Sequence, residues 1–95
     1  MDLKVAIQAK IFGRVQGVNF RASTLREAQR HALTGWVKNC RDGSVELIAE
    51  GEKSAITLFL KWCQQGSPIS QVDHVEWKWI EHSGKFKKFE ILRSS

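Results

Sequence analysis

The residues best suited to chemistry in this chain are Arg21, Asn39 and the stretch Gly13-Arg14-Val15-Gln16-Gly17-Val18-Asn19-Phe20-Arg21. That stretch follows an alternating apolar run and opens a helical pattern. A strand, a glycine-bearing turn and a helix start together make a site for an anion. The first N–H groups of a helix have no internal partners, and the helix dipole favours negative charge there. Arg21 falls in or just before the first helical turn, where a cation opposes the dipole and a bound anion reverses that cost. Its planar fork also matches phosphate oxygens. Asn39 ends a second strand. Alone it reads as an ordinary turn residue. Near the loop its carboxamide, which donates and accepts, can hold a water in line with phosphorus. Gln16 is a weaker candidate that can simply brace the loop. Arg14 adds charge at the mouth or serves only the surface.

Other chemistries find no support. His31, His74 and His82 are scattered over a helix, a strand and a turn, and none pairs with Ser or Cys as a triad would require. No carboxylate pair flanks the loop. Gly17 is not followed by Lys and Ser or Thr, so the loop is not a nucleoside-triphosphate cradle, and it is not G-x-G-x-x-G either. Cys40 and Cys63 form no C-x-x-C pair and approach no His cluster, which argues against zinc. They are expected as free thiols of a reducing compartment, Cys63 in the core and Cys40 passive in its turn.

The elements that must position these residues follow from periodicity. Residues 4–12 alternate, with Val5, Ile7, Ala9 and Ile11 on one face, as in a half-buried strand. Residues 20–33 read as a helix with Leu25, Ala28 and Ala32 inward, Asn19 as its side-chain cap, and Glu27 facing Arg30 and His31. Thr34 to Asn39 is a second strand, and Asp42-Gly43 is a hairpin signal. Residues 44–50 form a third strand. Residues 52–65 form a second helix with an Ile56, Phe59, Leu60, Cys63 stripe, stopped by Gly66-Ser67-Pro68. Residues 72–81 are a fourth strand whose alternation puts Val75, Trp77 and Trp79 in the core. His82 to Lys85 is a turn, and residues 86–92 a last strand with Phe89 and Ile91 inward.

The order is β-α-β-β-α-β with an additional C-terminal strand. It predicts an α+β, ferredoxin-like sandwich with two helices on one face of an antiparallel sheet. In such a split unit the first two strands run the same way with another between them, so their C-terminal ends share one sheet edge. Arg21 and Asn39, far apart in sequence, are thereby brought together.

The chain's 95 residues, 42% of them hydrophobic with four Trp and five Phe, suit one domain spanning residues 1–95. No apolar run approaches the length of a membrane span, and Met1-Asp2-Leu3-Lys4 lacks the pattern of a signal peptide, so a cytoplasmic location is expected. The net charge of +5 suits an anionic ligand, but the basic residues are spread out. Lys85, Lys87 and Lys88 form the densest group and read as a solvated strand face.

With these residues in view, Ile11-Phe12-Gly13-Arg14-Val15-Gln16-Gly17-Val18-Asn19-Phe20-Arg21 resembles the first signature of the acylphosphatases. Gly35-Trp36-Val37-Lys38-Asn39-Cys40-Arg41-Asp42-Gly43, continuing to Gly51, resembles the second. The resemblance extends to the Phe59-Leu60-Lys61-Trp62 stretch, Gly66-Ser67-Pro68, Val72-Asp73 and Phe89-Glu90-Ile91. It implies a small cytosolic hydrolase, without metal or cofactor, that cleaves the carboxyl–phosphate bond of acyl phosphates. It implies that Arg21 binds the phosphate, that Asn39 positions the water, and that the backbone of Arg14, Val15, Gln16, Gly17, Val18, Asn19 and Phe20 supplies the N–H cradle. The implied partners are an acyl phosphate and inorganic phosphate, the latter as product and competitive inhibitor. Nucleic acid and membrane are not implied, and nothing demands more than a monomer. Asn19 departs from the family, where Gly or an aromatic residue is common. Ala22 and Ser23 stand where larger residues are common, at the expected pocket rim.

The missing acid–base pair agrees with this reaction, because a carboxylate leaves without needing a proton. Two alternatives remain open on the sequence. RNA recognition modules share the element order, but residues 45–50 carry no aromatic side chain and the chain has no Tyr. A non-catalytic phosphate-sensing module, of the kind found inside larger proteins that handle carbamoyl groups, is the other. The chain's end soon after its last strand favours a free-standing enzyme.

Overall fold

The computed structural model describes residues 3–93; Met1-Asp2, read above for a signal peptide, and Ser94-Ser95 lie outside the described residues. The elements are β1 (Lys4–Arg14), α1 (Phe20–Arg30), β2 (Thr34–Asn39), β3 (Val45–Glu52), α2 (Lys53–Gln65), β4 (Gln71–Ile80) and β5 (Phe89–Ile91). They form one five-stranded sheet in the order β4-β1-β3-β2-β5. β3 lies antiparallel between β1 and β2, as the split unit requires. Both helices pack on one face, α2 over β1, β3 and β4 and α1 over β2 and β5. β5 runs parallel to β2, so the sheet is mixed rather than purely antiparallel.

The alternation of β1 holds in part: Ile7, Ala9 and Ile11 are buried under the helices, but Val5 is only half-buried and Ala6, on the opposite face, is fully buried. The α2 stripe of Ile56, Phe59, Leu60 and Cys63 is buried as its spacing demands. Burial also pushes the Cys63 thiol well above its ordinary pKa. Both cysteines are free.

α1 differs from its expected face. It ends at Arg30, and Ala32 lies beyond it, exposed and with φ +56°. The buried residues are Phe20, Thr24 and Ala28. Thr24 can be buried because its hydroxyl donates to the Phe20 carbonyl at 2.8 Å. The expected Glu27 pairings are present, to His31 at 3.1 Å and Arg30 at 3.5 Å.

Trp77 and Trp79 are not core. They share the helix-side face with Ala9 and Ile7 by register, yet remain 40% and 48% exposed. β4 is an edge strand, with a neighbour on one side only. The two rings meet edge to face at 5.3 Å, and the Lys53 ammonium stands 5.9 Å from the Trp79 ring. The last strand is shorter than its apolar pattern: residues 81–88 cross from one sheet edge to the other without regular structure, and only Phe89–Ile91 pair.

That crossing is tied to the sheet's open face through Glu50, which is almost fully buried. Its carboxylate accepts from the Ser83 N–H and hydroxyl and from the Gly84 N–H, at 2.8–3.0 Å. Burial alone would raise the Glu50 pKa, but these bonds outweigh it and hold the carboxyl below its ordinary value.

Candidate active site

β1 leaves the sheet through a bulge. Its register with β4 shifts between Phe12 and Gly13, making Asp73 the extra residue. Gly13 has φ +135°, and a Cβ there would stand 2.1 Å from the Gln71 carbonyl oxygen, so only glycine fits. The chain then turns through Gly17, at φ +73°, and Asn19, at φ +60°, into α1. Asn tolerates this left-handed conformation better than most residues do. That accounts for Asn19 at a position where Gly is common. Asn19 occupies the cap position as expected, but its side chain makes no capping hydrogen bond.

The loop therefore presents its backbone rather than closing on itself. The Ser23 N–H donates to the Asn19 carbonyl at 3.0 Å, the first bond of the helix. Among the described residues, the N–H groups of residues 16–22 find no protein acceptor. No acidic residue stands in the first turn of α1. Arg21, in that turn, makes no ion pair among the described residues. Unpaired donors, the positive end of a helix dipole and an uncompensated guanidinium all call for one ligand type, an anion.

Next to the loop is a cavity of about 300 Å³ lined by Val15, Gly17, Asn19, Phe20, Arg21, Ala22 and Ile91. Of the sequence-predicted loop residues, Val15, Gly17, Asn19, Phe20 and Arg21 line it. Three do not. Arg14 is exposed at the end of β1. Val18 packs against the core. Gln16 turns its side chain to the β2–β3 hairpin, donating from Nε2 to the Cys40 and Ser44 carbonyls at 2.8 Å each.

Those two bonds clamp the loop to the residue immediately after Asn39. Asn39 does not line the cavity. It ends β2 opposite Val45, which in turn opposes Ile11, so it shares the helix-side face with the last buried residues of β1 and β3. Its Oδ1 is buried and has no hydrogen-bond partner among the described residues. A buried carboxamide oxygen is rarely left unpaired without a role.

The hairpin itself is held by charge. Asp42 accepts from the Ser44 N–H at 3.0 Å and hydroxyl at 2.5 Å, and its other oxygen meets Lys10 at 3.1 Å. The Ser44 bonds, followed by Lys10, lower the Asp42 pKa to about 2. Gln16 braces the loop, as one of its two sequence readings has it; what the sequence did not show is that its partners are the Cys40 and Ser44 carbonyls, and that Ile91 lines the cavity. Each depends on long-range placement, in the second case on the parallel pairing that sets Ile91 beside Val37.

The acylphosphatase family model matches residues 7–91. The chain belongs to the acylphosphatase family. It is 41% identical to an acylphosphatase of Methylococcus capsulatus over 92% of its own length and 95% of that protein's. It is 49% identical to one of a Synechococcus strain over 80% of this chain and 81% of the other. The crystal structure of the Bacillus subtilis acylphosphatase superposes with a TM-score of 0.89 at 36% identity, covering 93% of this chain and 98% of that one. Acylphosphatase relatives at this identity, over nearly the whole length, make this an acylphosphatase enzyme, a hydrolase. Among the described residues no helix is long and apolar enough to cross a membrane.

Proposed function

We propose that the protein hydrolyses acyl phosphates at this loop, with Arg21 and the N–H groups of residues 14–20 holding the phosphoryl oxygens and Asn39 positioning the water. The observation that carries the reading is the uncompensated Arg21 at the end of a run of unpaired N–H donors. Fixed donors aimed at developing charge stabilise a transition state without reorganising. Arg21 and the loop bind the phosphoryl group and spread its negative charge. Water attacks phosphorus on the side away from the leaving group. A P–O bond forms to water as the P–O bond to the acyl carboxylate breaks, and the bonding pair leaves with the carboxylate. The water's proton passes to a phosphoryl oxygen of the substrate. No protein acid is needed, because the leaving carboxylate is stable unprotonated near neutral pH.

The substrate is a small molecule, and inorganic phosphate, the product, competes for the same donors. The test is hydrolysis of benzoyl phosphate with inorganic phosphate as inhibitor. Turnover with competitive inhibition by phosphate is the expected result. A folded protein that binds phosphate but turns over no benzoyl phosphate would replace this reading by phosphate sensing.

A further inference from the structure

The cavity beside the loop is lined by two kinds of residue. Gly17, Asn19 and Arg21 make one, polar and charged. The other is apolar. Val15 and Phe20 are fully buried and form its floor, leaving Ala22 and Ile91 as the surface a ligand reaches. Ile91 is 39% exposed although it shares a strand face with the buried Phe89. Its position is fixed rather than loose: β5 pairs with β2, and the Leu92 N–H donates to the Val37 carbonyl at 2.9 Å. Among the described residues that line the cavity, Arg21 is the only charged one.

We propose that Ile91, with Ala22, is the wall against which the acyl group lies, and that it selects acyl phosphates with an apolar acyl group over those carrying a second carboxylate. This inference rests on the phosphate reading of the same cavity. An acyl phosphate held at its phosphoryl end by Arg21 and the loop must leave the cavity past one of the remaining sides. An aryl or branched alkyl group gains by covering Ile91, at about fourfold in affinity for each methylene fully removed from water. A remote carboxylate reaching the same surface loses hydration and finds no cation other than Arg21 among the described residues that line the cavity. Ala22 matters by being small: it leaves open the space beside Ile91. The specificity residue thus comes from the short last strand, far in sequence from the loop it serves.

The test compares kcat/KM for benzoyl, acetyl and succinyl phosphate in wild-type protein, Ile91→Ser and Ile91→Lys, with inorganic phosphate inhibition measured in each. Ile91→Ser is expected to lower the benzoyl-to-acetyl ratio by about fivefold or more. Ile91→Lys is expected to raise the succinyl-to-benzoyl ratio by a similar factor, by offering the remote carboxylate a cation. A ratio is read within one protein sample, so partial loss of folded protein does not move it. If neither ratio moves while phosphate still inhibits, the acyl wall is wrong and the phosphate site stands. If phosphate does not inhibit the wild-type protein, the phosphate reading fails and the wall falls with it.

Discussion

Replacing Gln16 by Ala removes the clamp between the loop and the β2–β3 hairpin. Two hydrogen bonds of 2.8 Å are lost. Neither carbonyl is orphaned: Cys40 O still accepts from the Gly43 N–H at 3.2 Å, and Ser44 O from the Cys40 N–H at 2.9 Å. The cost is therefore that of two net bonds, ~0.5–1.5 kcal/mol each. A combined loss of ~2 kcal/mol lowers Tm by about 8–16 °C in a domain of this size. The activity loss should exceed what stability alone explains. A displacement of about 1 Å between the loop and Asn39 costs on the order of 10²-fold in rate. Gln16→Glu should be worse than Gln16→Ala, because a carboxylate cannot donate and would face two carbonyl oxygens. The assay is thermal unfolding by circular dichroism together with kcat/KM for benzoyl phosphate, measured well below each variant's Tm. Gln16→Ala with wild-type Tm and wild-type kcat/KM would refute the clamp.

Two other sites give distinct expectations. At Gly35, φ is +138° and a Cβ would stand 1.9 Å from the Ile48 carbonyl oxygen, so Gly35→Ala should cost several kcal/mol and leave little folded protein in urea titration. Asp42, lowered from an ordinary 3.8 to about 2, binds its proton less readily folded than unfolded. Its contribution to stability is therefore present above pH 3.8 and is lost as pH falls through about 2. Asp42→Asn should flatten that part of the stability-against-pH curve measured by denaturant unfolding.

Local pattern made much of this protein legible. The i, i+3, i+4, i+7 spacing in α2 named its buried residues correctly and alternation in β1 named Ile7, Ala9 and Ile11, because both elements lie centrally under or over a partner layer; alternation missed Ala6, buried on the opposite face. The same alternation placed Trp77 and Trp79 on the correct face but in the wrong environment. Period identifies a face, whereas cover depends on strand order, and β4 is an edge. Ala32 fitted the spacing of α1 only on the assumption that the helix continued past Arg30. Element order sufficed to bring the loop and the end of β2 to one edge, which the Gln16 bonds to Cys40 and Ser44 bear out. It allowed Gln16 as a brace but could not reveal that its partners are the Cys40 and Ser44 carbonyls, nor that β5 turns parallel to β2 and carries Ile91 to the cavity. Those depend on which side chains meet across more than twenty residues of sequence, where spacing carries no signal.

The proposed mechanism is a division of labour: the loop and Arg21 hold phosphate while Asn39, whose buried Oδ1 has no hydrogen-bond partner among the described residues, places the water. Asn39→Ala tests it most directly, through benzoyl phosphate turnover and phosphate inhibition measured on the same folded sample. Its kcat should fall ~10²-fold or more, with the inhibition constant for phosphate within about threefold of wild type. Near-wild-type turnover by Asn39→Ala would contradict it.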